Sequence, residues 1–81
     1  MNEYTARTAK QLGAILRGYR RDRGLTQRAL GEGAGFPQSA VSQIESDPTA
    51  TSLSRIYRVL SVLGLELVVR PRGEADGKTD W

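Results

Sequence analysis

The stretch Gly24–Glu45, GLTQRALGEGAGFPQSAVSQIE, leaves this chain few ways to fold. Thr26 is a good N-cap, because its hydroxyl can accept a backbone N–H that the helix it opens cannot satisfy. Gln27, Arg28, Ala29 and Leu30 then read as a short helix. Gly33-Ala34-Gly35 stops it, since glycine reaches the positive φ that a sharp turn needs. Phe36-Pro37 leads into a second helix, Gln38 to Glu45, with the proline placed in its first turn, where no helical hydrogen bond is lost. Val41 and Ile44 are three apart and share a face of that helix. The other face carries Gln38, Ser39, Ser42 and Gln43, uncharged side chains that both donate and accept hydrogen bonds.

Two short helices, a glycine turn, and an amide- and hydroxyl-rich face on the second make the shape of a helix-turn-helix reader. Leu16-Arg17, Arg20, Gly24-Leu25-Thr26-Gln27, Leu30-Gly31, Gly35, Val41-Ser42 and Ile44-Glu45 resemble the Cro/repressor-type (XRE) helix-turn-helix family at that family's spacings. The likeness runs over residues 12–64. It departs at Gly31, where the family usually has alanine, and at Pro37, a position often polar, which removes a possible base or phosphate contact.

The resemblance implies roles. Arg20 is expected in a buried ion pair with Glu45, fixing the recognition helix against helix 1. Gln27 is expected to touch a backbone phosphate and to brace Gln38. Gln38 and Ser39 resemble the Gln-Ser pair that opens the recognition helix of lambdoid repressors. On chemical grounds too, Gln38 leads the base-reading candidates, because glutamine pairs in bidentate fashion with adenine and serine serves either strand. Ser39 stands with it as a first base-reading candidate, and Ser42 and Gln43 follow, with Ser42 open to a second reading as a small packing residue. Thr26, Gln27 and Arg28 lie at a helix N-terminus, where free N–H groups and the dipole attract phosphate.

Helix 1 is expected from a Thr8 cap to about Arg23. Leu12, Ile15, Leu16 and Tyr19 form its amphipathic stripe. Arg17, Arg20, Arg21 and Arg23 lie opposite, and Arg17 and Arg21 are assigned to the DNA backbone. Asp47-Pro48 ends the recognition helix, since the residue before proline avoids the helical region. Thr51 or Ser52 caps a fourth helix whose Leu53, Ile56, Tyr57, Leu60 and Leu63 are expected to complete the core, with Gly64 as its stop. The period then changes. Leu65, Leu67 and Val69 alternate with Glu66, Val68 and Arg70, a strand pattern. A lone strand cannot satisfy its backbone, and nothing else in the chain reads as its partner. Residues Leu65, Leu67, Val68 and Val69 are therefore expected to pair with a second copy across a two-fold axis.

The expected fold is mainly α: a four- to five-helix domain over residues 8–71, an N-terminal arm over 1–7, and a flexible tail over 72–81 ending in Trp81. A single strand after the last helix and a loose tail ending in tryptophan resemble the HipB antitoxins of HipBA toxin–antitoxin modules. That resemblance implies an intersubunit β-lid, a palindromic double-stranded DNA operator, and a HipA-type serine/threonine kinase toxin as partner. Trp81 is then an anchor for a partner or a protease.

Charge agrees with a polyanion partner. Residues 1–73 hold eleven Lys and Arg against six Asp and Glu, net +5, whereas residues 74–81 hold one Lys against three acids, net −2. Ten of the twelve basic residues are arginine, the side chain that forks onto phosphate and guanine. Eighty-one residues allow one small core. No cysteine and no histidine are present, which removes disulfides, thiolate metal sites and the commonest general base. Glu32, Glu45, Asp47 and Glu66 are scattered over separate elements, so no enzyme, metal or cofactor is expected. No run approaches membrane-spanning length, and a cytoplasmic location is expected. Two alternatives remain: a phage-type or metabolic repressor without a toxin, and an interaction module that does not bind DNA.

Overall fold

The computed structural model describes residues 3–72. Four α-helices follow one another: α1 (Ala9–Asp22), α2 (Gln27–Ala34), α3 (Gln38–Ser46) and α4 (Leu53–Leu63), with a single 3₁₀ turn, Pro48–Ala50, between the last two. The caps explain most of the boundaries. Thr8 Oγ1 accepts from Gln11 N at 3.1 Å, Thr26 Oγ1 from Ala29 N at 3.0 Å, and Ser52 Oγ from Arg55 N at 3.2 Å. Pro37 stands at the N-cap of α3 rather than inside its first turn, and no side chain caps that helix. Asp47 caps the 3₁₀ turn by accepting from the N–H and the hydroxyl of Thr49.

Three helices end by the same device: a left-handed glycine, then an apolar residue whose N–H returns to a carbonyl five residues back. Leu25 N reaches Arg20 O at 3.1 Å, Phe36 N reaches Gly31 O at 3.0 Å, and Leu65 N reaches Leu60 O at 2.8 Å. Phe36 belongs to the core, and Leu25 and Leu65 pack against it, so each stop also fastens the next segment. At the turn between α2 and α3 only Gly35 has a positive φ, 87°. The sequence placed Gly33 in that turn as well. Instead α2 runs on to Ala34, because Leu30 and Ala34 are both buried and Gly33 backs onto Val62 of α4.

The core is Leu16, Tyr19, Leu30, Ala34, Phe36, Val41, Ile44, Ile56, Val59, Leu60 and Leu63. Two residues expected in it are elsewhere. Leu53 is 62% and Tyr57 50% exposed. The buried phase of α4 is Ile56, Val59, Leu60 and Leu63, so Leu53 and Tyr57 fall on its flank. Val59, at 1% exposure, completes the face that sequence spacing had given to Tyr57.

Gly31 has a structural reason. A Cβ there would stand 2.5 Å from the carbonyl oxygen of Phe36. The chain folds back so tightly at the end of α2 that alanine, the usual family residue, is crowded by backbone.

Residues 65–70 form no strand within the chain: no backbone ladder joins them to another segment among the described residues. A strand needs a neighbour, and a single copy supplies none. Residues 3–7 do lie beside this segment, through side chains. Arg70 Nη2 donates to Thr5 Oγ1 at 3.2 Å and Arg70 Nη1 meets Glu3 Oε1 at 3.5 Å. Tyr4 meets the Tyr19 ring edge-on at 5.7 Å. Leu67, Val68 and Val69 remain 47%, 66% and 90% exposed. Trp81 and the rest of the expected tail beyond Arg72 lie outside the described residues. Among the described residues no helix is long and apolar enough to cross a membrane.

Candidate nucleic-acid interface

The site is built outward from a buried ion pair. Arg20, near the end of α1, is 8% exposed, and Glu45, near the end of α3, is 7% exposed. Arg20 Nε donates to Glu45 Oε2 at 2.6 Å and Nη2 donates to Oε1 at 3.1 Å, a two-pronged contact. Arg20 Nη1 donates to the carbonyl of Leu25 at 2.7 Å. A buried charge pair is tolerable only when further hydrogen bonds support it, and the Leu25 carbonyl supplies one to Arg20.

From Glu45 the network passes to the surface. Gln27 Nε2 donates to Glu45 Oε1 at 3.1 Å, and Gln27 Oε1 accepts from Gln38 Nε2 at 3.4 Å. Four side chains from three helices thus form one chain, Arg20–Glu45–Gln27–Gln38. Its outer end is the first residue of α3. Of the two Gln27 Nε2 hydrogens one goes to Glu45, so the second lies outside these bonds, beside the backbone N–H groups at the start of α2.

The face of α3 is exposed at Gln38, Ser39, Ser42 and Gln43, while Val41, Ile44 and Glu45 are buried. This alternation is what a helix needs to be held by one side and to read with the other. Gln43 Nε2 donates to the carbonyl of Asp47 at 3.3 Å, so part of its amide closes the helix end. Ser46 Oγ donates to the Ser42 carbonyl at 3.1 Å, leaving the Ser42 hydroxyl outside that bond.

The cations divide. Arg17 and Arg21 lie four apart on α1, both exposed, with no carboxylate partner among the described residues. Arg28 meets Glu32 at 3.4 Å with both side chains largely exposed, a weak surface pair that a phosphate can displace. Thr26 keeps its hydroxyl proton available while its oxygen caps α2. Asp47, beside the end of α3, has its carboxyl held below the ordinary aspartate range, first by the Thr49 N–H and then by the Thr49 hydroxyl.

Sequence reading missed three parts of this site. The Leu25 carbonyl as acceptor for Arg20 leaves no trace in residue type. The Gln27–Glu45 bond joins residues eighteen apart and shows only in three dimensions. The Asp47 cap did have a signal, Asp-Pro-Thr, in which an acidic side chain precedes the proline that starts a turn. No group of acidic residues suited to a metal occurs among the described residues.

Comparison with known proteins agrees with this geometry. The helix-turn-helix family HTH_3 matches residues 16–69. The HTH-type transcriptional regulator PuuR of Escherichia coli (strain K12) is 38% identical over 55 residues, which are 68% of this chain and 30% of PuuR. The chain therefore spans less than a third of that relative's length. A chain of the HipB–O4 20mer complex superposes with a TM-score of 0.79 at 25% identity, covering 84% of this chain and 96% of that one. A chain of the HipA–HipB–O2–O3 complex superposes with a TM-score of 0.74 at 24% identity, covering 86% and 96%. With its buried Arg20–Glu45 pair, its Gly35 turn and its polar α3 face, the chain belongs to the Cro/repressor-type (XRE) helix-turn-helix family and is HipB-like within it.

Proposed function

We propose that this DNA-binding domain is a sequence-specific transcriptional repressor that acts as the antitoxin of a HipBA-type module. Residues 8–71 serve as the DNA-binding and dimerisation unit, with an arm before them and a tail after them. Two copies present α3 to successive major grooves, about 34–36 Å apart, on a pseudo-palindromic operator. Gln38, Ser39, Ser42 and Gln43 read base edges. Arg17, Arg21, Arg28, Thr26 and the start of α2 at Gln27 contact phosphate, and these contacts supply most of the affinity and its salt dependence.

The observation that carries this reading is the hydrogen-bonded chain from Arg20 to Gln38, which fixes the first polar residue of an otherwise exposed reading face. Dimerisation through Leu65, Leu67, Val68 and Val69 is supported by a segment in which Leu67, Val68 and Val69 stand exposed and whose backbone has no ladder partner among the described residues. The antitoxin role is supported by the likeness to HipB chains, including one from a complex with HipA. Trp81 is proposed as an anchor on the toxin.

The test is binding of the purified chain to DNA upstream of its own gene, together with co-purification of a HipA-type kinase from cells. Loss of the kinase with the full chain as bait would leave a second reading, a regulator without a toxin, which the match to PuuR favours. Absence of any DNA binding would leave only an interaction module.

A further inference from the structure

One pair of cations has no part in the interface described so far. Arg55 and Arg58 lie three apart on α4, and both are exposed. Among the described residues neither is paired with a carboxylate, and α4 itself carries none. Arg55 is nonetheless held in place. Its guanidinium carbon stands 5.2 Å from the centroid of the Phe36 ring. Arg58 closes the same corner, with its Nη1 3.8 Å from where a Cβ on Gly35 would stand. The turn that leads into α3 is therefore covered from outside by two guanidinium groups.

Gly35, Phe36 and Pro37, which lead into α3, bring no side-chain donor to that corner. Pro37, the N-cap of α3, has no N–H and no polar side chain, and Phe36 beside it is apolar. The Arg55 guanidinium beside the Phe36 ring is exposed, so its N–H groups stay open to an incoming anion. Such an arrangement costs little further side-chain entropy when an anion arrives. A duplex whose bases meet Gln38 must carry a phosphate strand past this same end of α3.

We propose that Arg55, rested on Phe36, is a phosphate-contacting residue at the leading end of the reading helix, replacing the polar contact that Pro37 cannot make, with Arg58 reinforcing it. This rests on the DNA-binding reading above. The test is anisotropy of labelled operator and scrambled duplexes with the full chain between 50 and 200 mM KCl. Arg55→Ala should weaken both duplexes alike and make the slope of log K against log salt shallower by about 0.9 per bound protomer. Arg55→Lys should recover most of that slope, because the charge returns without the planar stack. If Arg55→Ala lowers thermal stability, Arg55→Gln replaces it, keeping a planar group over Phe36 without the charge. An unchanged slope in the folded neutral variant overturns the proposal while DNA binding stands. Failure of the wild-type chain to bind either duplex at 50 mM salt overturns both.

Discussion

The side-chain amide of Gln27 bonds at one end to the Glu45 carboxylate, at 3.1 Å, and at the other to the amide of Gln38, at 3.4 Å. One residue of α2 thus links the buried end of α3 to its exposed beginning. The recognition helix is held at both ends by the same side chain, and an orientation error at Gln38 would have to be shared with the ion pair beneath.

Replacing Gln27 with Ala removes that link without removing a charge. Stability should fall by about 1 kcal/mol, the net worth of a typical hydrogen bond. Discrimination between the operator and a duplex changed at the Gln38 position should fall more than overall affinity does. Competition binding with the two duplexes measures this, and equal losses on both would show that Gln27 does not orient Gln38.

Truncating Arg20 to Ala leaves the Glu45 carboxylate buried without its partner. The expected cost is about 3–5 kcal/mol. In a domain this small each kcal/mol moves the melting temperature by roughly 4–8 °C, so the variant should be partly unfolded at 37 °C. The double replacement Arg20→Met with Glu45→Leu should recover much of the loss, since it removes both buried charges. Circular dichroism melts of the three proteins check the order.

At Gly31, alanine is the test of backbone crowding. A Cβ there lies 2.5 Å from the Phe36 oxygen, which must move. Gly31→Ala gains helix propensity, up to about 1 kcal/mol, yet overpacking of this kind costs about 1–3 kcal/mol. Net destabilisation is expected, with the start of α3 displaced. A higher melting temperature than wild type would show that the turn yields easily.

Gln38→Ala should relax sequence preference at one position in each half-site, with about 1–3 kcal/mol of discrimination lost there. Arg17→Ala should instead weaken every sequence alike and flatten the salt dependence. Binding measured across a set of single-base operator variants separates the two patterns.

Asp47 gives a prediction in pH. Its carboxyl is held low in the folded state by Thr49, so its stabilising effect is complete above the ordinary aspartate range. That contribution disappears as pH falls through the depressed value, because the protonated acid no longer accepts both bonds as an anion. Asp47→Asn should therefore lower the melting temperature near neutrality and narrow the gap from wild type as the solution is acidified.

How much of this could be read in advance differs by element. The caps Thr8, Thr26 and Ser52 and the glycine stops are local chemistry, and local chemistry is visible in a linear chain. The α3 face was visible too, because burial at Val41 and Ile44 leaves the polar positions between them no other side. Leu53 and Tyr57 were misplaced because spacing alone gives a helical stripe but not its centre, and the packing against α2 rotates α4 toward Val59. Gln27 as the link to Glu45, and Arg55 resting on Phe36, required three-dimensional neighbours eighteen or more residues away. The segment after Gly64 has strand periodicity without a strand, since periodicity describes side chains whereas a ladder needs a second backbone.

On α3, the side chains buried in the domain and those that face outward occupy different positions. Val41, Ile44 and Glu45 can stay as they are while Ser39 and Ser42 are exchanged, with Gln38 tied inward to Gln27 and Gln43 tied to the Asp47 carbonyl. On the proposed reading of α3, domains with new target sequences should therefore be obtainable from this one scaffold by rewriting Ser39 and Ser42, and each should fold like its parent.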